Sequence, residues 1–174
     1  MTSVQKSGGD FVDQVRREWV ALFPDTDTSP IEILARIGRI AAQANHLLDS
    51  TLAPSGVSRA EFDVLSALRR AQRPLRASEV TSVTMLSGAS TTKISERLVK
   101  EGLVERLGLD RDARVVLLQL TASGIELVDT VFPLRIARDR ELLDGLSRDE
   151  TEALAHLLRK VALNADPRSS NAKP

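Results

Sequence analysis

Between Ser58 and Leu120 the hydrophobic pattern changes period, and that change limits the fold more than any other feature of the chain. Phe62, Leu65 and Leu68 recur at helical spacing behind Ser58-x-x-Glu61, a capping box that satisfies two orphan backbone donors. Val80 and Val83 mark a shorter helix over about 78–84. Ile94 and Leu98 mark another over about 89–101, stopped by Gly102 at the left-handed C-terminal position. Three helices therefore fall within 45 residues. Two β-rich runs follow, 103–107 (LVERL) and 114–120 (RVVLLQL), flanking the polar loop 108–113 and predicting a hairpin with a charged tip.

Longer helical stripes flank this segment. Asp10 is a plausible N-cap for Phe11, Val15, Trp19 and Leu22, a run that ends at Pro24. The turn-forming stretch PDTDTSP leads to Pro30 and a second helix carrying Ile33, Ile37, Ile40, Ala44 and Leu47, expected to end near Leu52. Thr121 caps a helix marked by Ile125, Val128, Phe132 and Ile136, with a kink expected near Pro133, which lacks a backbone donor. Ser147 to Glu150 is a second capping box, opening a helix with Leu154, Leu157, Leu158 and Val161. Phe, Trp and Tyr make up 3% of the chain against 42% hydrophobic residues overall, so the interior must be Leu, Val, Ile and Ala, which favours helices. The expected fold is mainly α with a small β-hairpin. The division is a disordered tail over 1–9, N-terminal helices over 10–53, a compact domain over 54–121, C-terminal helices over 122–163 and a second disordered tail over 164–174. The stripes at 31–52, 122–143 and 147–163 exceed what one compact domain can cover, and apolar patches beyond a few hundred Å² usually mark an association surface. A second copy of the chain is the economical cover.

With no cysteine, disulfides, thiolate metal sites, thiol nucleophiles and thiol redox switches are excluded. His46 and His156 lie far apart with no second ligand at metal spacing, and the serines and threonines near 90 have no partnered His and Asp. Neither an enzyme nor a cofactor or metal site is expected. The start of the chain lacks a charged head with an apolar core, and no run approaches a membrane span, so a cytoplasmic protein is expected. Basic and acidic residues number 24 each, which taken alone argues against a strongly basic nucleic-acid binder. Their distribution argues the other way: residues 66–114 hold 10 basic against 6 acidic side chains, while 1–65 hold 6 and 9 and 115–174 hold 8 and 9. A partner bearing phosphates would be met by the middle of the chain.

Helix, short helix, turn, helix and an Arg-tipped hairpin form the winged helix-turn-helix arrangement, in which the second helix of the pair enters the DNA major groove. Its N-terminal half offers Ser87, Ser90, Thr91, Thr92 and Lys93, where backbone N–H groups and the helix dipole favour phosphate. Arg97 is placed to reach a base edge or a phosphate. Arg111 and Arg114 on the hairpin tip suit a narrow minor groove. The cluster Arg69, Arg70, Arg73 and Arg76 reads either as a solvated face or, beside a helix-turn-helix, as a phosphate contact, with Arg76 the residue assigned to DNA.

In these features the chain resembles the MarR family of bacterial transcription regulators over roughly residues 30–163. The likeness is carried by Phe62-Asp63-Val64-Leu65, by the continuous stretch 90–106 (STTKISERLVKEGLVER), by the wing Arg111-Asp112-Ala113-Arg114 and by the exit Leu120-Thr121-Ala122-Ser123-Gly124. The family wing usually reads D-x-R-D-x-R, and here Leu109 stands in the first Asp position. The resemblance implies a homodimeric repressor with N- and C-terminal dimerisation helices, bound to a pseudo-palindrome of double-stranded DNA and so nucleoid-associated. The extra N-terminal helix with Trp19 is similar to the branch responding to urate, aconitate-like acids and related anions. That likeness implies an effector site formed by Trp19, Asp63 and Arg106. A further arginine expected at Ile94 is absent, and an isoleucine has nothing to offer an anionic oxygen. Trp19 also reads as a core residue, and Asp63 as a carboxylate stabilising its helix dipole. A ligand-independent regulator or chromatin-shaping protein is the alternative.

Overall fold

Helix boundaries follow the capping chemistry. The computed structural model describes residues 9–109 and 112–165, with the backbone alone at 109 and 112–115. The expected tails at 1–9 and 164–174 fall almost wholly outside the described residues. Asp10 caps α1 (Phe11–Leu22), its carboxylate accepting the Val12 and Asp13 N–H groups at 2.8 and 3.1 Å. Pro30 sits in the first turn of α2 (Ser29–Leu52), and a 3₁₀ turn over Ala53–Ser55 leads to α3 (Arg59–Ala71) behind the Ser58/Glu61 box. Then come β1 (Leu75–Arg76), α4 (Ala77–Thr84), α5 (Gly88–Lys100), β2 (Val104–Leu109), β3 (Asp112–Leu120), α6 (Ala122–Glu141) and α7 (Arg148–Ala165). The fold is mainly helical with one small antiparallel sheet, as expected.

The sheet differs from the expectation in two ways. It has three strands, ordered β1-β3-β2, because Leu75 and Arg76 pair with Leu118 and Leu117. The hairpin strands also run further into the polar segment than their apolar residues suggest, pairing Gly108 with Val116 and Leu109 with Asp112 across a register irregularity. Backbone pairing needs no apolar side chain, so hydropathy understates a hairpin's length.

The core lies where α3 meets the sheet and the two helices of the helix-turn-helix. Phe62, Leu65, Val80, Leu98, Val104 and Leu118 are buried there, joined by Leu48 and Leu52 of α2 and Val128 and Val131 of α6. Two contacts bolt α6 to the wing. Thr121 Oγ1 donates to the Gly102 carbonyl at 2.6 Å while accepting the Gly124 N–H at 3.1 Å. A Cβ at Gly124 would lie 2.1 Å from the Leu103 carbonyl oxygen, so only glycine allows the approach. The α6 helix continues through Pro133.

The chain divides into two compact units, Met1–Arg135 and Ile136–Pro174, with α6 crossing the boundary. In the second unit Ser147 and Glu150 form the expected capping box of α7. None of its described residues is buried.

Charge joins α1 to α2. Arg36 donates from Nε and Nη2 to Asp10 at 2.7 and 3.0 Å and from Nη2 to Asp13 at 2.6 Å. Arg39 lies 4.4 Å above the Phe11 ring. The Arg36 guanidinium holds the Asp10 carboxyl below its ordinary value of 3.8. A lowered folded-state value stabilises above the unfolded value and is lost as pH falls through the folded one, so this grip is complete near neutrality and fails only below about pH 4. Trp19, the chain's one tryptophan, sits on α1 and reports its release. We expect its fluorescence to change on acidification at higher pH than the main loss of helical circular dichroism; coincident transitions would show that α1 does not detach separately.

Candidate nucleic-acid interface

The turn of residues 85–87 between α4 and α5 is opened by Met85 in a left-handed conformation (φ 59°), which lets α5 leave α4 at an angle. Ser87 then caps α5, its Oγ accepting the Ser90 N–H at 3.1 Å and lying 2.8 Å from the Ser90 hydroxyl. The first turn contains Gly88, Ala89 and Ser90 and no acidic residue. A Cβ at Gly88 would meet nothing within 4 Å, so the chain's own packing does not ask for a glycine there. Ser87, Thr92 and Lys93 are exposed and Ser90 is half-buried. This is an open polar helix start without an acidic side chain, suited chemically to phosphate and to close backbone approach.

Two residues assigned to DNA from sequence are placed differently. Thr91 is fully buried, its hydroxyl donating to the Ser87 carbonyl at 3.1 Å and accepting from Thr81 Oγ1 at 2.9 Å. It braces α4 against α5 and presents nothing to a duplex. Arg97 points its fork back at the protein, toward Glu61, Glu101 and the Gly56 carbonyl. At the far end of the helix, Gly102 (φ 71°) closes a paired-turn cap, with Leu103 N–H bonded to the Leu98 carbonyl at 3.0 Å.

Within the arginine cluster two side chains are already engaged. Arg69 makes a bidentate pair with Asp129 of α6 at 2.8 and 2.9 Å, which raises the arginine's pKa and lowers the aspartate's. Arg73 pairs with Glu79 at 2.7 Å. Arg70 and Arg76 are exposed. On the wing, Arg111 lies outside the described residues and Arg114 lies on β3, where the backbone alone is described.

Trp19, Asp63 and Arg106, the set implied by the family likeness, lie on three different elements, α1, α3 and β2. Trp19 is 45% exposed and packs against Phe23 with ring centres 5.6 Å apart, beside a mostly apolar hollow that includes Thr26, Asp27, Pro30 and Ile31. Asp63 is half-buried on α3, and Arg106 lies 3.9 Å from Glu96. A cavity that the sequence did not reveal lies between α3 and α6. It measures about 480 Å³, and its lining includes Ser66, the paired Arg69 and Asp129, Arg70, Val128 and Phe132. The Ser66 hydroxyl lines it buried and without a hydrogen-bond partner, unusual for a buried polar group. Ser66 lies one turn beyond Asp63, but nothing in its residue type marks it for this position.

A short helix, a tight turn, a second helix with an open polar start and an antiparallel hairpin beside it define a winged-helix protein of the DNA-binding class. Residues 55–115 match the MarR family. The multiple antibiotic resistance protein MarR of Escherichia coli is 34% identical over 133 residues, covering 72% of this chain and 90% of that protein. A solved structure of a mutant of that protein complexed with operator DNA aligns with a TM-score of 0.65 at 31% identity, over 78% of this chain and 99% of that one. The transcriptional regulator PecS of Dickeya dadantii is 28% identical over 152 residues, 86% of this chain and 92% of that protein. BpsR of Bordetella bronchiseptica, whose DNA binding is regulated by 6-hydroxynicotinic acid, aligns with a TM-score of 0.66 at 27% identity over 75% of this chain and 98% of that one. The chain belongs to the MarR family of transcriptional regulators, and its named relatives are regulators rather than enzymes. Among the described residues no helix is long and apolar enough to cross a membrane, and no cluster of His, Asp and Glu is arranged to hold a metal.

Proposed function

We propose that the chain is a homodimeric repressor that reads a pseudo-palindromic operator and is released by a small anionic or aromatic effector. Its contacts to double-stranded DNA are Ser87, Ser90, Thr92 and Lys93 in the major groove, Arg111 and Arg114 in the minor groove, and Arg76 on the phosphate backbone. The observation that carries this reading is the start of α5: exposed, small, free of acidic residues, and built on a glycine that the fold itself does not require. Co-crystallisation of the E. coli relative with its operator supports it. Footprinting tests it, with two protected half-sites one helical turn apart expected and a single protected patch the contrary result.

The effector reading has two candidate places. Trp19, Asp63 and Arg106 are the set implied by likeness to the anion-responsive branch, carried on α1, α3 and β2. The Ser66 cavity offers an unpartnered hydroxyl, the exposed Arg70 guanidinium and the Phe132 ring beside the Arg69–Asp129 pair, a combination suited to an aromatic or heteroaromatic carboxylate held by Arg70. The regulation of BpsR by 6-hydroxynicotinic acid supports that class. A ligand bound only to the native state raises its stability, by about 2.7 kcal/mol at a hundredfold excess over Kd. Aromatic and purine acids screened by thermal shift should include one that raises the melting temperature and weakens the gel shift. Ser66→Leu should abolish both effects if the cavity is the site, and a flat screen favours the ligand-independent regulator.

A further inference from the structure

We infer that Arg97 is a positioning residue of the reader helix, tying α5 to the start of α3 through the buried carboxylate of Glu61, and not a contact to the duplex. This rests on the winged-helix reading of DNA binding. All three guanidinium nitrogens are directed at protein acceptors. Nε donates to Glu101 Oε1 at 2.9 Å, one turn further along at the C-cap of α5. Nη1 lies 3.1 Å from Glu61 Oε1, and Nη2 donates to the Gly56 carbonyl at 3.2 Å. These partners belong to three places: the C-cap of α5, the first turn of α3 and the left-handed turn before it.

Glu61 makes the arrangement consequential. Its side chain is only 4% exposed. Its second oxygen accepts both the N–H and the hydroxyl of Ser58 at 2.8 Å, so the carboxylate is at once the N-cap partner of α3 and the anion that meets α5. A buried carboxylate is tolerated where it is hydrogen-bonded and paired with a cation. Swinging Arg97 toward a phosphate would uncover that charge. The side chain is 51% exposed, so exposure alone would have permitted a DNA contact; the direction of the fork decides against it. Arg97 also lies nine residues beyond the start of α5, about 13 Å along the axis from the open first turn. Its effect there is on how α5 is pitched and rotated, which sets where Thr92 and Lys93 arrive.

The test compares the full-length protein with Arg97→Gln, Glu61→Gln, the double variant and Arg97→Lys. Binding to operator and to unrelated duplex is measured across a salt series, at matched concentrations of folded protein. Each single Gln variant should weaken operator binding roughly tenfold, and the double variant should be no worse than either, because both remove one coupled interaction. Binding to unrelated duplex and the log–log salt slope should stay unchanged, and Arg97→Lys should recover part of the loss. A merely destabilised protein would lose both kinds of binding together. The inference is overturned if Arg97→Gln reduces the slope magnitude by about 0.9 for each lost phosphate contact, if the two losses multiply, or if Glu61→Gln binds as tightly as wild type. A wild-type protein that binds no duplex overturns the DNA reading and this inference with it, whereas a changed slope in Arg97→Gln overturns this inference alone.

Discussion

Raising monovalent salt from 50 to 200 mM should weaken operator binding by about 10³- to 10⁵-fold, the loss expected for six to ten neutralised phosphates. The chain's zero net charge gives no general attraction to DNA, so binding must come from local cations. Of the 10 basic residues in 66–114, Arg69, Arg73 and Arg97 are committed to carboxylates within the fold. Arg70, Arg76, Lys93 and Lys100 are exposed, Arg106 is exposed but lies 3.9 Å from Glu96, and Arg111 and Arg114 are the two arginines that the sequence assigns to the hairpin tip. About three to five phosphate contacts per protomer is therefore a reasonable supply, and a pair of protomers gives the slope above. Anisotropy or gel-shift titration over a salt series measures it, and a flat response would remove DNA binding from the account. In the same assay, replacing Arg111 and Arg114 together by Ala should weaken binding roughly tenfold or more without changing the oligomeric state.

What could be read from sequence was what depends on neighbours along the chain. The C-terminal end of α5 was legible because Gly102 supplies local cap chemistry, and the two capping boxes expected at Ser58/Glu61 and Ser147/Glu150 form there. Hidden features depend on partners distant in sequence. The β1 strand is two residues long, and only its pairing with Leu117 and Leu118 makes it a strand. Arg69 meets an aspartate 60 residues away and Arg97 a carbonyl 41 away, so a cluster of arginines that reads as a free basic face is half occupied. Thr91 looks like a surface hydroxyl because its type usually is one, yet it sits at zero exposure with its polarity absorbed by Ser87 and Thr81. Residue type carries the chemistry available at a position; the tertiary contacts decide whether that chemistry faces outward.

If the proposed homodimer is joined through α7, Leu157→Glu should turn it into a monomer and weaken operator binding by about 10²- to 10⁴-fold, the avidity lost when two linked half-site contacts become one. Leu157 is 57% exposed within its own chain and Leu163 59%, so a glutamate at 157 costs little in an isolated protomer. A large effect then reports a surface covered by another molecule. That such a cover is needed follows from the second unit, where Ile136, Leu142, Leu143, Leu146, Leu154 and Leu158 are each more than a third exposed and none of the described residues is buried. Helices that bury nothing draw little stability from packing, and exposed apolar area is worth about 25 cal/mol per Å² once removed from water. Two copies joining these helices could reach the roughly 1,200–2,000 Å² that stable interfaces bury, and a glutamate within that area would be left without a partner. Sedimentation or light scattering reads the oligomeric state, and the salt series reads whether the monomer's slope falls to about half, as it must if each protomer brings its own set of phosphate contacts. A variant that remains dimeric with unchanged affinity would place the two-fold contact elsewhere on the chain.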